Sequence, residues 1–422
     1  MKEKSTQLPP WMLVSAIAAA VILALSMAIV IWWSAAGVDS FDAGMALMGE
    51  VFKPRENDVY YKKTYSISDK KLEKKQDEIV ATIGDKTLTN RDLQVYYWTE
   101  VYDFLQDNGY QAVYLGLDYS QPLDAQSCPL GDGTWQQYFL QRALNTWHTN
   151  QAMALLAEKN GLVLDQQYQD DLANMRGNLT QAAISAGFTS IDAMLQKDFG
   201  SIANYDIYYR YIALRYSASG YFAEQYNAFD VSDGKLEAYF IRNEEALKAD
   251  GITKDSGDVA DVRHILIPVT GGKEDASGKM VYSDEEWETC RKEAQKLLDE
   301  WLAGDATEDQ FAQLAKKYSQ DEGSRDNGGL YRSITEQSGF VKEFLDWTLD
   351  ESREVGNYGL IRTEYGYHIM YFVGSEAQWI RESREGLRSE LSEEVWSEAR
   401  EQFSMEVTYK DIVLAEVDLS AQ

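Results

Sequence analysis

Apolar residues run without a single charge for 23 positions near the N-terminus, from Trp11 to Trp33 (WMLVSAIAAAVILALSMAIVIWW). At 1.5 Å rise per residue the run makes roughly 34 Å of helix, enough for a hydrocarbon core of ~30 Å. Residues 34–78 show no sustained period and read as a juxtamembrane spacer with a lysine-rich patch, Lys70-Lys71-Leu72-Glu73-Lys74-Lys75. The stretch Ile79-Val80-Ala81-Thr82-Ile83 then reads as a short strand, Gly84-Asp85 as a turn, and Thr89 as the cap of a helix ending at Gly109. Between Thr134 and about Lys248 the pattern is helical. Thr134 and Gln137 form a capping-box signature ahead of Trp135, Phe139, Ala143 and Trp147, and Gly161 supplies the stop. A further helix covers roughly Asp206 to Phe229, dense in Tyr and Phe, and Ser232 starts another.

Gly251 to Asp258 is rich in turn residues and reads as a linker. Beyond it the texture alternates strand and helix as far as about Gly374. Two of these strands carry histidines. In Asp261-Val262-Arg263-His264-Ile265-Leu266-Ile267, period two places His264 on one face with Val262 and Leu266, and His368 lies 104 positions later in Gly366-Tyr367-His368-Ile369-Met370-Tyr371-Phe372. Between them, Ser283 with Glu286 and Thr307 with Gln310 mark two helix starts. Glu376 to about Phe403 is a charged amphipathic helix, and a last strand alternates Met405, Val407 and Tyr409 with polar neighbours. The expected class is α+β. The segments are a cytoplasmic tail (1–10), a transmembrane helix (11–33), a spacer (34–78), a helical lobe (79–250), a strand-and-helix domain (260–375) and a C-terminal helix and strand (376–422) that could complete the helical lobe.

Charge sets the orientation. Lys2 and Lys4 precede the apolar run and Asp39 and Asp42 follow it, so the N-terminus is expected in the cytoplasm and the bulk of this single-pass chain outside it. A cleaved signal sequence ending near Ser34-Ala35-Ala36 is the alternative, and it implies export equally. Lys and Arg number 40 against 69 Asp and Glu, a formal net charge of −29. That excess repels phosphate backbones, so nucleic acid is not an expected partner. Neither GxxxxGK[ST] nor GxGxxG is present, so no nucleotide is expected. The two cysteines, Cys128 and Cys290, cannot make a thiolate zinc site, and no carboxylate or histidine spacing suits a metal. No cofactor is expected. Cys290 falls on an apolar helix face and reads as a small core residue. The aromatics of 206–229 fit either a helical core or a groove for client chains.

The order RHIL, FAQLAKKYSQD, NGGL, a Phe-rich stretch and TEYGYHIMYF, from Asp261 to Gly374, resembles the parvulin family of peptidyl-prolyl cis-trans isomerases. The wider plan of export segment, helical lobe opened by IVATIGDKTLTNRDL, parvulin domain and returning C-terminus resembles the PrsA-like and SurA-like extracytoplasmic foldases. The resemblance implies a small antiparallel sheet flanked by helices beside a mainly helical chaperone lobe. It implies that His264 and His368 pair at the floor of the site, that Asp321 takes the position of a family Cys or Asp, and that Thr363 is the hydroxyl beside the second histidine. Leu330, Phe340 and Phe344 would wall the pocket for the proline ring. Tyr365 stands where some members have Ser. Members that prefer phosphorylated Ser-Pro carry a basic cluster soon after the first histidine, whereas Pro268 to Asp275 holds a single Lys, so phosphate preference is not expected.

Such residues suit the reaction. Rotation about X–Pro crosses ~18–20 kcal/mol, mostly lost amide resonance, and no bond to the substrate need form. An apolar cup for the ring over a dry polar floor favours the twisted amide by differential binding. The expected function is an isomerase and foldase for exported polypeptides containing X-Pro bonds. A non-catalytic holdase or scaffold that retains the parvulin fold is the alternative.

Overall fold

The computed structural model describes residues 65–419 apart from 109, 110, 132, 276 and 277, and its first elements lie inside the expected spacer. β1 (Ser66–Ile67) pairs in parallel with β11 (Val413–Leu414). α1 (Asp69–Lys75) follows, capped by Ser68, whose hydroxyl accepts from the Lys71 N–H. Its single apolar residue, Leu72, is fully buried in a cluster with Val413 and Ala415. One anchor makes no period, so this helix is set by tertiary contact rather than by pattern. Lys75 reaches Glu78 at 2.7 Å and Asp411 at 3.1 Å. The apolar run 11–33 lies outside the described residues, among which no helix is long and apolar enough to cross a membrane.

The described residues fall into two units, 65–229 with 388–419, and 230–387. In the first, β2 (Ile79–Ile83) and β3 (Lys86–Thr89) form a hairpin, extended on the far side of β2 by β10 (Glu406–Val407). Its body is helical: α2 (Asn90–Asn108), α3 (Gln111–Tyr114), α4 (Trp135–Lys159), α5 (Gln166–Ser185), α6 (Ile191–Phe199) and α7 (Tyr205–Asn227). α4 opens with both halves of the capping box between Thr134 and Gln137. The aromatics of α7 mostly fill the core: Tyr208, Tyr211, Tyr216, Tyr221 and Phe222 are buried, while Tyr209 is exposed. The returning C-terminus is stitched in by two fully buried polar residues of α2. Asn90 Oδ1 accepts from the Val413 N–H at 2.9 Å and its Nδ2 donates to the Asp411 carbonyl at 2.8 Å. Gln94 accepts from the Ala415 N–H and donates to the Val413 carbonyl. These amides act as a backbone edge in side-chain form, pairing the N–H and carbonyl of Val413 and the N–H of Ala415.

The second unit begins with α8 (Asp233–Ala249), which the 79–250 boundary assigned to the helical lobe. Phe240 explains the grouping, since its ring meets Trp379 at 5.4 Å. A four-stranded antiparallel sheet follows, in the order β7 (Leu330–Ile334), β4 (Asp258–Pro268), β9 (Gly366–Ala377), β8 (Tyr358–Arg362), with β5 (Lys273–Glu274) and β6 (Met280–Val281) as a separate hairpin. α9 (Asp284–Ala303) and α10 (Glu308–Tyr318) cover one face, burying Ile265, Ile369, Leu297, Trp301 and Phe311 together. α11 (Lys342–Thr348) covers the other, where Val262, Ile334, Phe344, Met370 and Phe372 meet. α12 (Gln378–Gln402) begins in this unit, and Arg381 on its first turns pairs with the buried Asp261 of β4 and donates to Ser333 at 3.1 Å. Both cysteines are free, and the Cys290 thiol donates to the Ile267 carbonyl.

Candidate active site

β4 and β9 pair with His264 opposite Met370 and His368 opposite Leu266. The histidines are therefore diagonal neighbours on one sheet face, a separation that imidazoles can bridge. Their rings stack with centroids 5.2 Å apart, and the two Nδ1 atoms lie at 3.0 Å. Both side chains are almost wholly buried, as is Thr363. On the far side of His368, Nε2 meets Thr363 Oγ1 at 2.8 Å, and that oxygen also accepts from the Tyr365 N–H at 3.2 Å. On the far side of His264, Nε2 meets Asp321 Oδ2 at 2.9 Å and Ser324 Oγ at 3.0 Å. Ser324 and the Tyr331 hydroxyl both donate to the same Asp321 oxygen, Tyr331 at 3.0 Å.

One loop holds the carboxylate in place. At the end of α10, the Ser319 hydroxyl accepts from the N–H groups of Leu266 and Asp321, and the Gln320 N–H donates to the Leu266 carbonyl. Arg263 points the other way from His264, pairing with Glu308 at 2.9 Å and donating to the Asn327 and Gly328 carbonyls. Gly329 closes the turn at φ +77°, with its carbonyl accepting from the His264 N–H at 2.8 Å. A Cβ there would meet the His264 carbonyl oxygen at 2.2 Å, so the approach requires glycine.

The protons follow from the partners. A single proton lies between the two Nδ1 atoms, because each neutral imidazole has one donor and one acceptor. The hydrogen bond from His264, with those from Ser324 and Tyr331, holds the Asp321 carboxyl well below the usual carboxylate range despite partial burial. Burial, reinforced by the neighbouring His264, pushes His368 down to about 3. For a neutral His pair above an ionised Asp321, one arrangement satisfies every partner. Thr363 O–H donates to His368 Nε2, His368 Nδ1–H to His264 Nδ1, and His264 Nε2–H to Asp321. All the donors point toward the carboxylate.

Above this floor sit aromatic rings. Phe340 and Phe344 stack at 4.7 Å, Phe344 stands edge-on to His264 at 5.3 Å, and Tyr331 meets Phe340 at 4.8 Å. Phe344 is only 1% exposed, whereas Phe340, Tyr331 and Leu330 are half-buried. Phe344 thus backs the cup from beneath, and its own packing partners occupy its faces. Leu330 opens β7 opposite Arg263, on the sheet face away from His264, so it does not wall the cup as expected; Asn327 grips both its N–H and its carbonyl at 3.0 Å. Tyr365 is exposed and contributes its main chain.

Ser324 and Tyr331 were not singled out from the sequence. Tyr331 pairs with Val262 across β4 and β7, which puts it on the His264 face. The alternation of β7 was readable, but its register was not.

Residues 247–374 match the family model of the PPIC-type PPIase domain. The chain carries a parvulin-type PPIase domain. His264, Asp321, Ser324, Tyr331, Thr363 and His368 all lie within the matched residues of this parvulin domain. No curated protein matches the chain. Similar solved structures include PrsA from Bacillus subtilis, at 19% identity over 65% of this chain and 88% of that one, with a TM-score of 0.29. PrsA from Bacillus anthracis is 13% identical over 61% of this chain and 96% of that one, with a TM-score of 0.21. A Campylobacter jejuni structure described among SurA-like chaperones is 17% identical over 77% and 94%, with a TM-score of 0.21.

Proposed function

We propose that the chain is a peptidyl-prolyl cis-trans isomerase and foldase, anchored by residues 11–33 with its bulk outside the cytoplasm, acting on unfolded exported polypeptides that contain X-Pro bonds. In this reading residues 260–375 are the isomerase domain. The helical lobe from residue 79, joined by the C-terminal return, engages the client. His264, Asp321, Thr363 and His368 carry catalysis, and Phe340 with Tyr331, backed by Phe344, receives the proline ring. The observation that supports it most is the unbroken set of donors from Thr363 through both imidazoles to an ionised Asp321, buried beneath aromatic rings.

That set is a dry, fixed dipole array. A planar prolyl amide delocalises its nitrogen lone pair into the carbonyl, and the twisted form loses that delocalisation. A floor whose field and shape favour the twisted form lowers the barrier without attack on the carbonyl, so Asp321 acts as the anchor of the array rather than as a nucleophile. Lys273 of β5, the single Lys between Pro268 and Asp275, offers no phosphate clamp, consistent with unphosphorylated X-Pro substrates.

The closure of the cup over Phe344 favours the second reading, a holdase with a silent site. Proline-limited refolding of a test protein in the presence of the purified chain separates the two. Catalysis shortens the slow phase at substoichiometric chain, whereas a holdase lowers aggregation and leaves that phase unchanged.

A further inference from the structure

We propose that Tyr331 is a positioning residue of this site: with Ser324, its hydroxyl completes a cradle of donors around one Asp321 oxygen that keeps the carboxylate ionised and thereby fixes the direction of the hydrogen bonds through both histidines. The proposal rests on the isomerase reading for its effect on turnover, but its geometry stands separately. Three donors converge on Asp321 Oδ2: His264 Nε2 at 2.9 Å, Tyr331 at 3.0 Å, and Ser324. They come from β4, β7 and the loop after α10, so the cradle exists only in the folded domain.

The backbone makes room for the phenol. A Cβ on Gly323 would lie 2.7 Å from the Tyr331 hydroxyl oxygen, so glycine at this position lets the hydroxyl reach the carboxylate. The Tyr331 ring is fixed independently, edge-on to Phe340 at 4.8 Å and 5.4 Å from the His264 ring. One side chain therefore lines the cup and grips the anchor of the polar floor. The titratable groups acting on Asp321 are His264 and Tyr331, with His368 one hydrogen bond further along.

The direction matters because the array has a mirror state. In that state a bare His264 Nε2 faces the Asp321 carboxylate. His264 then carries its proton on Nδ1 and donates to His368 Nδ1, and His368 Nε2–H turns toward Thr363. The dipoles beneath the prolyl amide are then reversed. Each donor on the carboxylate opposes that switch, and a hydroxyl donating to a charged acceptor is among the stronger kind of hydrogen bond.

The test uses the full chain in detergent, with 15N-labelled histidine, and reads the His264 tautomer by NMR at about pH 7.5 beside turnover of an unphosphorylated X-Pro peptide. Tyr331→Phe keeps the ring and removes the hydroxyl. Gly323→Ala keeps the hydroxyl and displaces it. Both are expected to lower the share of the His264 Nε2–H tautomer relative to the wild type, with kcat lowered about tenfold and KM within about twofold for Tyr331→Phe. If both variants keep the wild-type tautomer population, the positioning role is overturned. Should the wild type show no turnover, the isomerase reading fails, and the tautomer population still decides for or against the cradle.

Discussion

His368 ties the stability of the parvulin domain to pH. In the unfolded chain an imidazole takes up a proton near pH 6.5, whereas burial beside His264 pushes folded His368 down to about 3. Between these values the unfolded state binds the extra proton, so stability is greatest above pH 6.5 and falls as the pH is lowered. From pH 7.5 to 5.0 the protonation of this one residue in the unfolded chain is worth about 2 kcal/mol, out of a ceiling of roughly 5 kcal/mol reached near pH 3. Asp321 does not contribute in this window. Its folded value is depressed, so its share is lost only as the pH falls below the ordinary carboxylate value. His148, also depressed by burial, lies in the other unit, so the measurement must be local. Hydrogen exchange of the β4 and β9 amides, corrected for intrinsic rates, should show protection falling by about 2 kcal/mol between pH 7.5 and 5.0. In His368→Gln the baseline protection drops, but the pH-dependent part should largely vanish. An equal loss in the wild type and the variant would refute the assignment of that slope to His368.

Asp321→Asn removes the charge on which three donors converge; turnover of an X-Pro peptide should fall at least tenfold while the far-UV spectrum is unchanged. Phe344→Ala truncates a fully buried ring stacked on Phe340, so it should cost about 3–5 kcal/mol in denaturant unfolding as well as lowering kcat/KM; a purely kinetic effect would show the ring to be surface rather than support. Arg381→Leu strands the buried Asp261, for which the Ser333 N–H and Arg332 are the remaining partners, and should destabilise the same unit by about 3 kcal/mol as read by β4 exchange. For the same reason, chain cut at Gly374 should unfold more readily than chain extended through Leu387.

Sequence pattern carried the framework where several apolar positions repeat. The capping box of Ser283 and Glu286 is present in both halves, and Cys290 is buried on the apolar face of α9 as expected. Thr307 caps α10 through the Gln310 N–H, but the Gln310 side chain turns to the Ala306 N–H instead of closing the box. The alternation around His264 was legible because period two is local. What period two cannot supply is pairing register, and the 3.0 Å approach of His264 to His368 depends on the diagonal offset of β4 and β9. Nor does pattern reveal a helix with one apolar anchor, such as α1, or a strand received by polar side chains. Asn90 and Gln94 look solvent-facing in sequence, yet they are buried because they complete the backbone pairing of the returning chain. The expected final strand through Met405, Val407 and Tyr409 is reduced to Glu406–Val407, because the chain then turns tightly at Tyr409–Asp411 to reach β11. Phe344 was legible as an aromatic near the site, but not as a ring already covered, since burial is a property of its neighbours.

The most direct test is NMR exchange spectroscopy on an unphosphorylated X-Pro peptide at equilibrium, with catalytic amounts of the purified chain and of His264→Ala. Cis–trans exchange far above the spontaneous rate with the wild type, and near that rate with the variant, is the predicted result. Exchange at the spontaneous rate with the wild type, or acceleration that survives loss of the imidazole, would contradict it.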